Sequence, residues 1–112
     1  MFIFHIIEID YVSPKGAYTP IDPGSLEKAS MSPIDWKYYT DHNFINKLGN
    51  TLSAYEINPK DYDVIYYTGG HGVIWDFPND TKLQEITKEI YENGGIVSAV
   101  CHGVAGLLNI TL

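Results

Sequence analysis

A cysteine between small residues is the clearest chemical signal in the sequence. Residues 99–103 read AVCHG, so that Cys101 has a small residue two positions away on each side. This spacing is typical of a nucleophile elbow, a sharp turn from a strand into a helix that exposes the central side chain. The first turn of a helix also favours thiolate over thiol, which predicts that Cys101 is a nucleophile rather than a buried structural cysteine.

Two neighbouring features could complete a site around this thiol. His102 is a candidate acid or base for Cys101, the alternative being a histidine that only hydrogen-bonds backbone or solvent. The segment GGHG at 69–72 ends a second predicted strand, and backbone N–H groups of Gly70 and His102 could form an oxyanion hole. Parallel strands place their carboxyl ends together, so we expect the two loops to meet. The alternative for the glycine loop is a turn that needs positive φ.

Further residues of this loop are candidates for a pocket. Gly69, His71, Trp75 and Asp76 could line it, although aromatic side chains after a loop also pack into cores. Neither GxGxxG nor GxxxxGK[ST] occurs, so nucleotide binding has no support. The histidine, cysteine and aspartate side chains show no recognised metal-ligand spacing, and we expect neither a metal nor another cofactor.

Alternating strands and helices are predicted to position these residues. Apolar runs predict strands at 2–12, 64–67 and 96–100, with a turn at 13–16. Helices are predicted from 42 to about 52, from Thr81 to Gly94 with Thr81 and Gln84 as a capping box, and from the elbow onward. The pattern indicates an α/β fold in which helices cover both faces of a parallel sheet.

The length and composition bound the possible functions. The 112 residues fit one domain, with an irregular excursion at about 17–60, and three strands are fewer than the usual four to six or so. We therefore expect an incomplete version of the fold. A net charge of −7 argues against nucleic acid and anionic lipid, and no apolar run of membrane-spanning length occurs. One cysteine and no secretory signal favour a reducing cytoplasm.

Two segments carry a family resemblance. YTGGHGVIWDFP at 67–78 and GGIVSAVCHGVAGLL at 94–108 closely resemble the ThiJ/PfpI superfamily. VSPKG at 12–16, PIDP at 20–23 and the GHGxxxDxP pattern at 70–78 are similar to its branch of heat-inducible chaperones and glutathione-independent glyoxalases. The resemblance implies a flavodoxin-like sandwich related to class I glutamine amidotransferases.

The resemblance also implies roles for individual residues. Cys101 would be the nucleophile, His102 its partner, and Gly70 with His102 the source of the oxyanion N–H groups. The family acid, usually a glutamate just after the first strand, has no counterpart here, and Glu8 does not replace it. The chain therefore resembles a domain truncated at both ends, or a degenerate paralogue.

The function implied by this branch is a glyoxalase III-like conversion of methylglyoxal to lactate without glutathione or another cofactor. The aldehyde would be a small-molecule partner, and a homodimer is possible. A cysteine amidase or peptidase is the second hypothesis for an enzymatic function. A holdase chaperone, for which Cys101 would be dispensable, and an inactive remnant are the alternatives from other classes.

Overall fold

The computed structural model describes residues 8–21, 23–27 and 30–112. Its strands are β1 (Val12–Ser13), β2 (Lys15–Ala17), β3 (Thr51–Ser53), β4 (Val64–Tyr67) and β5 (Ile96–Ala99). Its α-helices are α1 (Pro33–Tyr39), α2 (His42–Gly49) and α3 (Thr81–Glu92). Short 3-10 helices connect them, at Pro23–Leu26, Ala54–Glu56, Pro59–Asp61, His71–Trp75, Phe77–Asn79 and Cys101–Leu107.

The predicted α/β class is confirmed, with strands that pair in two small sheets. β4 and β5 run parallel, from the pair Val64 and Ile96 to the pair Tyr67 and Ala99. In the other sheet β3 lies between β1, which is parallel to it, and β2, which is antiparallel. The parallel pair brings the ends of β4 and β5 to the same edge, where the GGHG loop and the elbow begin.

The core lies between α3 and the β4–β5 sheet. Apolar residues at helical spacing on α3 are buried, with Ile86 and Ile90 each 2% exposed. Ala54 and Tyr67 complete the cluster from the facing elements. Two predictions from the sequence, the strand over residues 64–67 and the helix that follows it, are confirmed.

The start of α3 corrects the predicted capping box of Thr81 and Gln84. The cap is Asp80, whose carboxylate accepts a hydrogen bond from the Leu83 N–H at 2.8 Å. Gln84 instead donates its side-chain amide to the Pro78 carbonyl at 2.9 Å. The carboxylate of Asp80 is a stronger hydrogen-bond acceptor for the free N–H groups of the first turn than the hydroxyl of Thr81, so Asp80 caps the helix.

The N-terminal region departs from the predicted strand at 2–12 and turn at 13–16. Residues 2–7 lie outside the described part, residues 8–11 are not in a strand, and β1 starts at Val12. β1 takes Ser13 of the predicted turn and β2 takes Lys15 and Gly16, because residues on either side of Pro14 pair with β3. Gly16 has φ +76° and its α-carbon has no room for a side chain, since a Cβ would lie 2.9 Å from the Ser53 nitrogen.

The segment at about 17–60 is more regular than predicted. It contains α1, which Ser32 caps and in which Pro33 takes the first helical position. The helix predicted over 42–52 is present as α2 but ends at Gly49. Residues 51–53 form β3 instead, and the Leu52 N–H donates to the Tyr11 carbonyl at 2.9 Å. Among the described helices, none has the length and apolar character needed to cross a membrane.

Candidate active site

Cys101 stands where β5 turns into the 3-10 helix Cys101–Leu107. Its backbone has φ +53°, a left-handed conformation that is uncommon for a residue other than glycine. The turn closes through the Gly103 N–H, which donates to the Val100 carbonyl at 2.8 Å. The Cys101 side chain is exposed and makes no disulfide. A strained cysteine with an accessible thiol is the geometry that the elbow hypothesis requires, in a 3-10 rather than the predicted apolar helix.

Two glycines let this turn pack directly on the end of β4. A Cβ on Gly103 would lie 2.6 Å from the Tyr67 carbonyl oxygen and would also meet the Thr68 carbonyl oxygen. A Cβ on Gly106 would lie 2.5 Å from the Tyr67 ring. The absence of side chains at both positions therefore sets how closely the elbow approaches the neighbouring strand.

Tyr67 anchors the elbow to the core. Its carbonyl accepts from the Val100 N–H at 3.1 Å, and its hydroxyl lies 2.6 Å from the Thr87 hydroxyl on α3. Burial raises the pKa of the Tyr67 phenol, which is 3% exposed. Sequence reasoning did not single out Tyr67, since only the register of β4 distinguishes it from the exposed Tyr66 beside it.

An imidazole lies next to the thiol, as the adjacent position of His102 suggested. The Nδ1 atom of His102 is 3.5 Å from the Cys101 sulfur. The ring of His71 packs against the His102 ring, with centroids 4.6 Å apart and planes inclined by 57°. All three side chains are accessible to solvent, and the contact between the two histidines was not foreseen from the sequence.

The GGHG loop reaches the elbow from β4. A Cβ on Gly69 would lie 3.0 Å from the Cys101 Cβ and 3.1 Å from the Val100 carbonyl oxygen, so this loop runs directly beside the cysteine. Gly70 has φ +105°, which a side chain would strain, and the 3-10 helix His71–Trp75 follows it. The structure thus brings the loop and the thiol together, and the oxyanion role of Gly70 and His102 remains a prediction.

No contact with the Cys101 thiol is recorded for the remaining acidic and aromatic side chains that could line a pocket or supply an acid, among the residues that the structure describes. Trp75 is 84% exposed. Asp76 ends the 3-10 helix His71–Trp75, and desolvation raises the pKa of its carboxyl while backbone hydrogen bonds from Phe77 and Asp76 oppose the rise. Glu56 accepts a hydrogen bond from the Ser53 N–H at 2.8 Å, which closes a local capping box. Within the ranges that the structure describes, no three histidine, cysteine or acidic side chains gather as a metal site.

The sequence matches one family and several curated proteins. Residues 7–112 match the DJ-1/PfpI family. The chain is 36% identical over 104 residues to a glutathione-independent glyoxalase of Schizosaccharomyces pombe, hsp3102, covering 91% of this chain and 43% of that protein. It is 38% identical over 100 residues to the glutathione-independent glyoxalase HSP31 of Saccharomyces cerevisiae, covering 88% and 42%. The chain thus spans less than half the length of these relatives.

Solved structures with the same fold are also similar. The 24 kDa rapid encystment protein of Francisella tularensis aligns with a TM-score of 0.87 and 40% identity, over 98% of this chain and 48% of that one. Glyoxalase III of Candida albicans aligns with a TM-score of 0.84 and 34% identity, over 93% and 44%. These neighbours have the flavodoxin-like fold, which agrees with the architecture predicted from the sequence.

Proposed function

Because the chain belongs to the DJ-1/PfpI family, we propose that it is a cysteine-dependent glyoxalase that converts methylglyoxal to lactate without glutathione. The observation that carries the proposal is the accessible Cys101 on a strained turn, with a histidine nitrogen 3.5 Å from its sulfur. The glutathione-independent glyoxalases among its relatives support this substrate class.

The first step is addition of the thiolate to the aldehyde. His102 takes the proton of the Cys101 thiol at Nδ1, and the sulfur forms a bond to the aldehyde carbon while the carbonyl electron pair moves to oxygen. Protonation of that oxygen gives a hemithioacetal. Backbone N–H groups of Gly70 and His102 would stabilise the negative charge that develops on the oxygen.

The second step is an internal proton transfer. The proton on the former aldehyde carbon is removed, and one is returned to the neighbouring ketone carbon, which converts the hemithioacetal into a lactoyl thioester of Cys101. Water then cleaves the carbon–sulfur bond and releases lactate and the thiol. The complete reaction consumes one methylglyoxal and one water and forms one lactate, so it needs no external oxidant or reductant.

The experiment follows lactate by proton NMR after methylglyoxal is added to the purified chain without glutathione. The parent should form lactate, and Cys101→Ala should form none. A matched variant, His42→Ala, removes an exposed histidine from α2 and should behave as the parent. Equal lactate formation by the parent and Cys101→Ala would reject the proposal. Hydrolysis of small amides in place of aldehyde turnover would instead indicate an amidase.

A second candidate, a holdase chaperone, is favoured by the exposed apolar surface. Large apolar side chains with more than two thirds of their area accessible include Tyr18, Tyr55, Trp75, Leu108 and Leu112. Suppression of client aggregation that Cys101→Ala retains, together with no lactate from the parent, would select this function. An inactive remnant would show neither activity.

The remaining assignments concern location and partners. We propose a cytoplasmic location, because a lone accessible thiol persists best in a reducing compartment. The small aldehyde is the proposed partner, and self-association as a homodimer is the proposed assembly. Size-exclusion chromatography with light scattering tests the assembly.

A further inference from the structure

We propose that His71 is a positioning residue: its ring packs against His102 and holds the Nδ1 atom of that imidazole at the Cys101 thiol. This role rests on the proposed function, in which His102 takes the thiol proton. The two ring centroids are 4.6 Å apart, and Nδ1 of His102 is 3.5 Å from the sulfur. His102 is therefore in contact with the thiol and also with the ring of His71, which belongs to the GGHG loop.

The exposed His102 side chain needs such a support. An accessible imidazole can adopt several side-chain rotamers, so holding it in the one that faces the thiol costs conformational entropy. A single 3.5 Å contact between nitrogen and sulfur offsets little of this cost. A second ring at contact distance excludes some of these rotamers and adds packing. The separation of the two rings falls within the range of about 4.5–7 Å over which aromatic pairs attract each other.

The backbone fixes His71 relative to the elbow. His71 opens the 3-10 helix His71–Trp75, directly after Gly70 with its φ of +105°. Gly69, two residues before it, lies against Cys101 closely enough that a Cβ would approach the cysteine Cβ to 3.0 Å. The loop that carries His71 is thus held at the same turn that carries the thiol.

The chemistry explains why the position of the His102 ring matters. The S–H bond of Cys101 breaks as an N–H bond forms at Nδ1, which leaves a thiolate beside an imidazolium. This transfer requires Nδ1 to be an unprotonated acceptor that faces sulfur beforehand. His71 does not take part in the transfer and acts only through the ring of His102.

The test uses the full chain and three variants. His71→Ala removes the ring, His71→Phe keeps a ring without titratable nitrogens, and His42→Ala removes an exposed histidine from α2 as the matched control. Iodoacetamide alkylation of Cys101 is measured against pH, and nitrogen NMR reports the tautomer of His102. Circular dichroism verifies that each variant is folded. Neither readout uses methylglyoxal, so failure of the glyoxalase proposal and failure of this one are distinguishable.

The expected results separate positioning from a general structural effect. His71→Ala should slow alkylation near neutral pH by about fivefold, the scale of one lost hydrogen bond, and shift the His102 tautomers toward those of free histidine. His71→Phe should recover both readouts to within about twofold of the parent, as should His42→Ala. Unchanged readouts in His71→Ala would overturn the proposal. Equal losses in His71→Ala and His71→Phe would also overturn it, because the nitrogen atoms of His71 would then be required.

Discussion

Replacing Gly103 with alanine tests whether the elbow is held by direct contact with the end of β4. The added Cβ would lie 2.6 Å from the Tyr67 carbonyl oxygen and would also meet that of Thr68. These atoms belong to the backbone, so they cannot rotate aside as a side chain can. The 3-10 helix must move away by about 0.6 Å before the nearer of these oxygens, that of Thr68, reaches even a tight contact of 3.0 Å.

The expected loss is at the upper end of the range for overpacking. Insertion of a methyl group into a packed site costs about 1–3 kcal/mol, and we expect about 3 kcal/mol because backbone must move. For a domain of this size the melting temperature should fall by about 10–15 °C. Thermal unfolding followed by circular dichroism measures this change. Alkylation of Cys101 in the folded variant reports whether the turn is also displaced.

Gly72→Ala is the matched control for this variant. Gly72 lies in the facing loop, and a Cβ there would have no atom within 4 Å. Its melting temperature should stay within about 2 °C of the parent, as expected of a substitution that adds no contact. Equal stability of Gly103→Ala and Gly72→Ala would refute the close approach of elbow and strand.

Four further predictions concern reactivity, hydrogen bonding and titration. Near pH 7 iodoacetamide should alkylate Cys101 faster than it alkylates a free cysteine, because the turn exposes the thiol beside the His102 nitrogen, and an equal rate would contradict the elbow hypothesis. Methylglyoxal should give a hemithioacetal adduct in mass spectra of the parent and none in Cys101→Ala, because the thiolate adds to the aldehyde carbon; a parent without the adduct would contradict the proposed first step. Tyr67→Phe should lower the free energy of unfolding by about 1 kcal/mol through loss of the contact with Thr87, and an unchanged urea midpoint would oppose this. In an alkaline absorbance titration the Tyr62 phenol should ionise at a pKa of about 12, since its hydroxyl donates to Asp10, and Tyr62→Phe should reduce the absorbance rise in that pH range. The stabilisation from this raised pKa is complete below about pH 10 and is lost as the pH rises through about 12.

The elements beside the thiol were predictable because their signals are local. The apolar run at 64–67, the helical spacing of Leu83, Ile86 and Ile90, and the apolar run at 96–100 each predict one element without information from the rest of the chain. Their order then places the glycine loop and Cys101 at one edge of a parallel pair. The position of Cys101 beside the glycine loop followed from that arrangement.

Short secondary-structure elements and contacts between side chains of different loops were harder to predict. Helix α1 lies in the segment predicted to be irregular, because a proline such as Pro33 is typical of a chain break, whereas here Ser32 before it and Asp35 after it form a capping box. β3 has only three residues, too few for alternation to be recognised. The packing of His71 on His102 depends on the relative placement of two loops, which no spacing within either loop encodes.

The left-handed backbone at Cys101 means that thermal stability and the proposed chemistry favour different residues at this position. Holding a residue other than glycine in this conformation costs about 1–3 kcal/mol of folding free energy. A glycine at this position would avoid that strain, and its more flexible unfolded chain would reduce stability by only about 0.4–1 kcal/mol. An exposed side chain contributes little burial to offset the difference. Selection for a higher melting temperature alone would therefore favour Cys101→Gly, a more stable protein that has lost the proposed nucleophile.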